Sequence, residues 1–398
     1  MLNKLLTLLR AHDKLGCVRA IDRSWRGGSL RVPLGTALEA TLAWLCAAQD
    51  ATPDGGVSYG YSLTTGWRSS YPETTGYIIP SFLACAEVTG NDSLRTRALR
   101  MADWEIDVQL PDGAVQSGPL GTAVAPAVFD TGQVLFGWNA AYRATRDPRY
   151  RAAAIRAGEW LVGNLDADGA WRKNLSNLTE VSPLCINVRS AWALAESGVL
   201  FGREDFIDAG RRSGVWTLSM QDDSGWFASN AFHHGEEPLL HNIVYVIEGL
   251  LGLGTLFVDE AAIAGADRAA AGLARHLLET GRTFGRYATQ WRPVVSWRCL
   301  TGDAQLAGAL LRLWQSGRRS LPYDEIALGL LESVSATQVL PWRAGDGLSG
   351  GVGGSWPIWG AYMAYSYPNW AAKFHLDALL LHLHGVDAQD PLAVRNGG

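Results

Sequence analysis

Two carboxylates in the chain are of the type that does acid–base work on glycosidic bonds. Glu73 lies in SYPETTGYIIPSF and Asp130 in VFDTGQVLFGW. A glycosidase needs one carboxyl as acid and a second group to activate water or attack the anomeric carbon, and this pair answers that need. A third candidate, His241 in LLHNIVYVIEG, suits proton transfer of another kind. A uronide lyase or C5-epimerase removes the proton α to a carboxylate, using a Tyr, His or Lys base and a cation or amide to steady the enolate. His241, Tyr245, Tyr362, Tyr367, Asn187, Asn242, Arg189 and Lys373 supply those types. Glu73, Asp130 and His241 are therefore the candidate catalytic residues.

Polar and aromatic residues cluster at the starts of six apolar segments. The first holds Tyr71, Glu73 and Tyr77, the second Asp130 and Gln133, and the third Asn187 and Arg189. The fourth holds His241, Asn242 and Tyr245, and the fifth Trp297, Arg298, Asp303 and Gln305. The last, GGVGGSWPIWGAYMAYSYPNWAAKFHLDALLLHLHG, carries Trp356, Trp359, Tyr362, Tyr365, Tyr367, Asn369, Trp370 and Lys373. An aromatic-rimmed cleft holds sugar rings by stacking on their C–H faces. Blander roles exist for each: Asp130 as a helix N-cap, His241 as a satisfied core histidine, Lys373 as the partner of Asp377 one turn on, and tryptophans as glue between hairpins. His233 and His234, in SGWFASNAFHHGEEP, read equally as solvated.

These segments recur with a period. Turns of the form Asp/Ser-Gly followed by an aromatic or small residue fall at Asp54, Asp112, Asp168, Ser224 and Asp346, with a weaker member at Gly281. Before several of them an amphipathic helix ends in Trp, then Gln or Asn; after them comes a more apolar helix. Predicted inner helices are 73–89, 129–145, 187–200, 241–257, 300–315 and 369–384; outer ones are 34–49, 93–109, 149–164, 206–220, 266–280 and 323–338. Strand signals are nearly absent. A repeat of this length with helices between turns is one supersecondary unit copied around an array.

Six apolar helices alternating with six amphipathic ones predict an all-α fold, an (α/α)6 toroid of six helical hairpins over residues 34–385. Residues 1–33 form an N-terminal extension and 386–398 a C-terminal tail. An open α-solenoid is the rival. In a toroid the six inner-helix starts converge on one mouth and turn free N–H groups towards it, favouring anionic groups. The pattern resembles the six-hairpin superfamily of glycoside hydrolases, uronide lyases and sugar epimerases. The turns such as WTLSMQDDSGW are similar to triterpene cyclase repeats, but the DxDD acid motif of that class is missing. Length, fold and His241 also resemble the N-acylglucosamine 2-epimerase family, which implies a second catalytic histidine at His375 in AAKFHLDALL.

With 398 residues, 47% hydrophobic and 18% charged, the chain can bury a large core. Its net charge of −5 argues against nucleic acid. No run of 18 apolar residues predicts membrane insertion, and LLTLL near the N-terminus is too short for a signal-peptide core. Five scattered cysteines without CxxC spacing fit a reducing cytoplasm. No metal-site, P-loop or dinucleotide motif occurs, so no cofactor is expected. The expected activity is cleavage of glycosidic bonds in an acidic oligo- or polysaccharide, by hydrolase or lyase chemistry; the alternatives are a sugar epimerase and a non-catalytic glycan-binding toroid.

Overall fold

The computed structural model describes residues 31–340 and 346–388, together with Gly16 and Val18. Cys17, the LLTLL stretch and most of the expected C-terminal tail lie outside the described residues. Twelve α-helices among the described residues form two concentric sets. The outer set is α1 (Leu34–Asp50), α3 (Asp92–Val108), α5 (Pro148–Gly163), α7 (Glu204–Ser219), α9 (Glu260–Thr280) and α11 (Tyr323–Ser335). The inner set is α2 (Pro72–Thr89), α4 (Val128–Thr145), α6 (Val188–Phe201), α8 (Leu240–Phe257), α10 (Leu300–Gln315) and α12 (Asn369–His384). Each inner helix packs on the next, and α12 packs back on α2, so the ring closes as an (α/α)6 toroid.

The sequence sorts the two sets by polarity. Inner helices are buried on nearly every side, as in α8, where fifteen consecutive residues from Leu240 to Gly254 are buried. By length and composition α8 would also suit a membrane span, but here it is part of the inner ring. Outer helices bury one stripe only. Three of them start with an Asx cap: Asn91 accepts from Ser93 N–H, Asp147 from Arg149 N–H and Asp259 from Ala261 N–H. No inner helix has a side-chain cap. Loop carbonyls instead take the first N–H of four of them: Val128 donates to Asn174 O, Leu240 to Gly285 O, Leu300 to Gly354 O and Asn369 to Tyr59 O, so these groups are not free at the mouth as the sequence suggested.

Small residues set the spacing between inner helices. A methyl group on Gly132 of α4 would meet the Ser190 side chain of α6 at 2.2 Å, and one on Gly249 of α8 would meet the Arg189 backbone nitrogen at 2.7 Å. The recurring glutamine stitches the outer ring. Gln49 Nε2 donates to the carbonyls of Gly55 and Arg97, Gln109 to Gly113 and Ala153, and Gln221 to Gly225 and Gly265. Each thus binds its own turn and the next outer helix. Gln338 donates to Gly350 O and Thr41 Oγ1, joining the last hairpin to the first. That closure removes the open solenoid, and it gives the Gln-turn repeat a purely structural role.

Among the described residues seven strands of two or three residues, which the sequence does not signal, tie loops together. β1 (Gly60–Ser62) pairs with β2 (Gly66–Trp67) and with β7 (Ser366–Pro368), again linking first and last hairpins. They are too short to show an alternating pattern.

Candidate active site

A cavity of about 520 Å³ opens among the inner-helix starts. Five of the six starts line it: Tyr71 and Glu73 before and in α2, Val128 and Phe129 in α4, Ile186 and Asn187 before α6, Leu239, His241 and Tyr245 at α8, and Tyr362 and Trp370 at α12. Seven of the residues singled out from the sequence thus share one cavity: Tyr71, Glu73, Asn187, His241, Tyr245, Tyr362 and Trp370. Trp370 Nε1 donates to Tyr362 Oη at 2.8 Å, which fixes the aromatic wall.

Glu73 and Asp130 meet through one phenol. Tyr71 Oη forms a very short hydrogen bond with Glu73 Oε2 and lies 3.2 Å from Asp130 Oδ1. Asp130 is fully buried; it also accepts from Gly118 N–H at 3.2 Å, while its Oδ2 has no hydrogen-bond partner. It is the third residue of α4, inside the first turn, so it is not the N-cap that its residue type allowed. Glu73 lines the cavity; Asp130 lies behind it and does not.

One hydroxyl proton cannot satisfy two buried anions. Burial, and then the neighbouring Asp130 charge, push the Glu73 carboxyl well above the usual carboxylate range, against the opposing pull of Tyr71. Burial likewise pushes Asp130 up to about 7, opposed by the Gly118 N–H and Tyr71. The pair therefore keeps a proton near neutrality, as carboxyl dyads do. Tyr71 Oη donates to Glu73 Oε2 or to Asp130 Oδ1, and the carboxyl it does not serve keeps a proton of its own.

His241 is held neutral: burial drives its imidazole down to about 3. Burial also raises Tyr245 and Tyr362 well above the ordinary phenol range, so neither is readily a phenolate base.

A second group of the residues singled out from the sequence lies beneath the cavity. Arg189, fully buried, donates to Gln133 Oε1 at 2.8 Å and Glu248 Oε2 at 2.6 Å, and Gln305 Nε2 donates to the same Glu248 oxygen at 3.1 Å. Lys373 pairs with Asp377 at 2.7 Å, one turn on. Tyr77 packs against Phe374. A third group sits in structural roles away from the cavity. Asn242 donates to Asn230 O, Asn369 to Ser58 O and Thr74 Oγ1, and Arg298 to Asp303 at 2.6 Å. Trp356 lies in the short strand Ser355–Trp356, opposite Arg298, Tyr367 in β7, Trp297 packs on Gly285, and Trp359 is 44% exposed on the surface. His375 also falls outside the cavity, bonded to Thr41 and Ser335 hydroxyls.

Loops contribute lining residues that the sequence reading passed over, among them Tyr59, Leu178, Phe232, Arg286 and Met363, and His233, which it left undecided. Arg286 lies in the weak turn member GRYATQWRP, the one signal that pointed towards it. Its guanidinium pairs with Glu236 at 2.8 Å at the cavity edge.

No protein-family model matches the chain, and no curated protein matches it. Solved structures do. An unsaturated glucuronyl hydrolase specific for heparin superposes with a TM-score of 0.68 at 18% identity, over 89% of this chain and 98% of the other. The unsaturated glucuronyl hydrolase of Bacillus sp. GL1 gives 0.67 at 15% identity over 89% and 98%. A D-mannose isomerase gives 0.68 at 13% identity over 89% and 97%. At such identities the likeness is one of fold, the (α/α)6 toroid shared by these enzymes.

Proposed function

We propose that the chain is a glycoside hydrolase whose proton donor is Glu73, acting on an acidic oligosaccharide that ends in an unsaturated uronyl residue. The observation that carries this reading is the Glu73–Tyr71–Asp130 array: two buried carboxyls sharing one phenol, with Glu73 at the wall of an aromatic-lined cavity. Acid catalysis needs a protonated carboxyl there.

The acids present support this substrate class. Hydrolysis of a saturated glycoside uses two carboxyls flanking one bond; of this pair Glu73 alone lines the cavity, and the other lining carboxyl, Glu236, is paired with Arg286. An unsaturated uronyl ring is a vinyl ether, and its cleavage begins with protonation at carbon by a single acid. Water then captures the resulting oxocarbenium ion; the hemiketal opens at the ring oxygen to a ketone, and the hemiacetal left at the anomeric carbon collapses to an aldehyde, releasing the neighbouring sugar as an alcohol. Arg286 and His233 at the rim suit the uronyl carboxylate, and Tyr362 and Trp370 suit its ring. The fold neighbours that act on unsaturated glucuronyl residues agree with this choice.

The lyase and epimerase alternatives call for a strong base in the cavity as well as a cation such as Arg286. His241 is weakly basic, and burial keeps Tyr245 and Tyr362 from serving readily as phenolates. The two-histidine scheme implied by the 2-epimerase resemblance lacks His375 at the cavity. Cys46, Cys85, Cys185 and Cys299 are unpaired, in keeping with a cytoplasmic site of action on imported fragments.

The test is incubation of the protein with unsaturated uronyl disaccharides while following the ultraviolet absorbance of the conjugated double bond. Loss of absorbance with wild type and its retention with Glu73→Gln is the expected result. Shortening of saturated oligosaccharides with the double bond untouched would replace this reading by an ordinary glycosidase. Ring-proton exchange with D2O and no bond cleavage would make the protein an epimerase, and saturable binding with neither change would make it a glycan-binding module.

A further inference from the structure

We propose that Gln305 and Glu248 are positioning residues that lock His241 in its Nδ1–H tautomer, presenting a bare Nε2 to the cavity as a hydrogen-bond acceptor. The chain of reasoning begins at Arg189, which has donors and no acceptor. It donates to Glu248 Oε2 at 2.6 Å, so that oxygen is an acceptor. The same oxygen lies 3.1 Å from Gln305 Nε2, which fixes the amide with its NH2 towards Glu248. The reversed amide would set a carbonyl oxygen against a carboxylate oxygen. Gln305 Oε1 is then the atom 2.5 Å from His241 Nδ1. A carbonyl oxygen only accepts, so Nδ1 carries the hydrogen. In a neutral imidazole the other nitrogen is left unprotonated.

Packing holds the assembly still. The imidazole lies 4.3 Å from the Tyr245 ring and 5.8 Å from that of Tyr362, and His241 lines the cavity. Arg189 is anchored on its other side by Gln133 Oε1 and is surrounded by the rings of Phe136, Tyr245 and Phe374 at 5.2–5.4 Å. Burial keeps the imidazole neutral. Four residues from four inner helices thus specify the state of one nitrogen. Its use in the reaction rests on the hydrolytic reading: Nε2 accepts a hydrogen bond from the attacking water or a sugar hydroxyl and orients it. Its tautomer does not depend on that reading.

The experiment is long-range 1H–15N NMR of substrate-free protein carrying 15N-histidine. His241 is assigned by the signals lost in His241→Gln. The expected spectrum shows a pyrrole-type Nδ1 and a pyridine-type Nε2; a pyrrole-type Nε2 in the wild type would overturn the proposal. Gln305→Leu, with its fold checked by near-ultraviolet circular dichroism, is expected to give a mixture of tautomers. Gln305→Glu is expected to restore Nδ1–H, since a carboxyl at this place accepts from Nδ1 in either protonation state. An unchanged His241 pattern in Gln305→Leu would also overturn the proposal. Should Gln305→Leu not fold, the wild-type spectrum still decides. On a cleaved substrate Gln305→Leu is expected to lower kcat about tenfold or more, with recovery in Gln305→Glu. No cleavage by any variant, with the expected spectra, would reject the hydrolytic reading and leave the tautomer assignment standing.

Discussion

Replacing Asp130 by Asn removes one buried charge while keeping the side chain's shape, and the structure fixes the sign of the result at each pH. In the folded protein burial moves the Asp130 carboxyl from an ordinary 3.8 up to about 7. Between those values the folded state holds a proton that the unfolded chain has released, so stability falls as pH rises. At about 1.4 kcal/mol per pH unit the loss is on the order of 4 kcal/mol, complete above about pH 7. Asn has no such titration. Its carbonyl can still accept from Gly118 N–H and Tyr71 Oη, each 3.2 Å from the present Oδ1. Its NH2, however, falls where Oδ2 now lies buried without a partner, at a cost of about 1–3 kcal/mol at every pH.

The two stability curves must therefore cross. Asp130→Asn is expected to be less stable than wild type by about 1–3 kcal/mol near pH 4, and more stable by about 1–3 kcal/mol near pH 8. Urea midpoints followed by fluorescence of the 17 tryptophans, from about pH 4 to about pH 8, measure both ends. The Asp130 charge is also one cause of Glu73 staying protonated. Its loss should move the basic limb of the kcat profile to lower pH. Parallel stability profiles for variant and wild type would refute the account of a buried carboxyl that keeps its proton.

Glu73→Gln is expected to lower kcat about 10²–10⁴-fold, since it removes the acid, with an unfolding midpoint equal to or above that of wild type near pH 8. His375→Ala is expected to cost about 1–3 kcal/mol through its bonds to Thr41 and Ser335, leaving kcat unchanged; a fall in kcat in the folded variant would reinstate a two-histidine mechanism. Gly132→Ala should lose about 1–3 kcal/mol or more, because its methyl would fall 2.2 Å from Ser190 Cβ and 2.6 Å from Ser190 Cα. Gly329→Ala in α11, where a methyl meets nothing within 4 Å, should instead gain up to about 1 kcal/mol. Thermal melts compare the last two directly.

The hairpin architecture was legible because its signal is repeated. Glycine turns at a near-constant period mark the hairpins, and polarity alone separates inner from outer helices. Predicted and observed helix ends agree to within two residues for all six inner helices. For the outer helix α9 the start lies six residues earlier than predicted, at Glu260, because an alanine-rich first turn gave no periodic cue. The site was only partly legible, for the converse reason. A helix that is apolar on every side has no phase to read, so Glu73, on the cavity, and Gln133, beneath it, look alike in sequence. Loop residues such as Leu178, Phe232 and Met363 had no period at all to reveal them.

What separates the cavity layer from the layer below is hydrogen-bond satisfaction. Arg189, Gln133, Glu248 and Gln305 each find a hydrogen-bond partner in the protein, and Lys373 an ion pair with Asp377, as buried polar groups must. Glu73 and Asp130 do not divide their bonds so cleanly, since two carboxyls draw on one phenol. A fold that needed only a closed core would place an amide or a hydroxyl at one of those positions. Two carboxyls there cost stability above neutral pH, and that cost disappears when one of them keeps its proton. The same constraint that makes the pair unfavourable as structure holds a dischargeable proton at the cavity wall. The crossing of the stability curves and the loss of turnover in Glu73→Gln are therefore two readings of one physical fact.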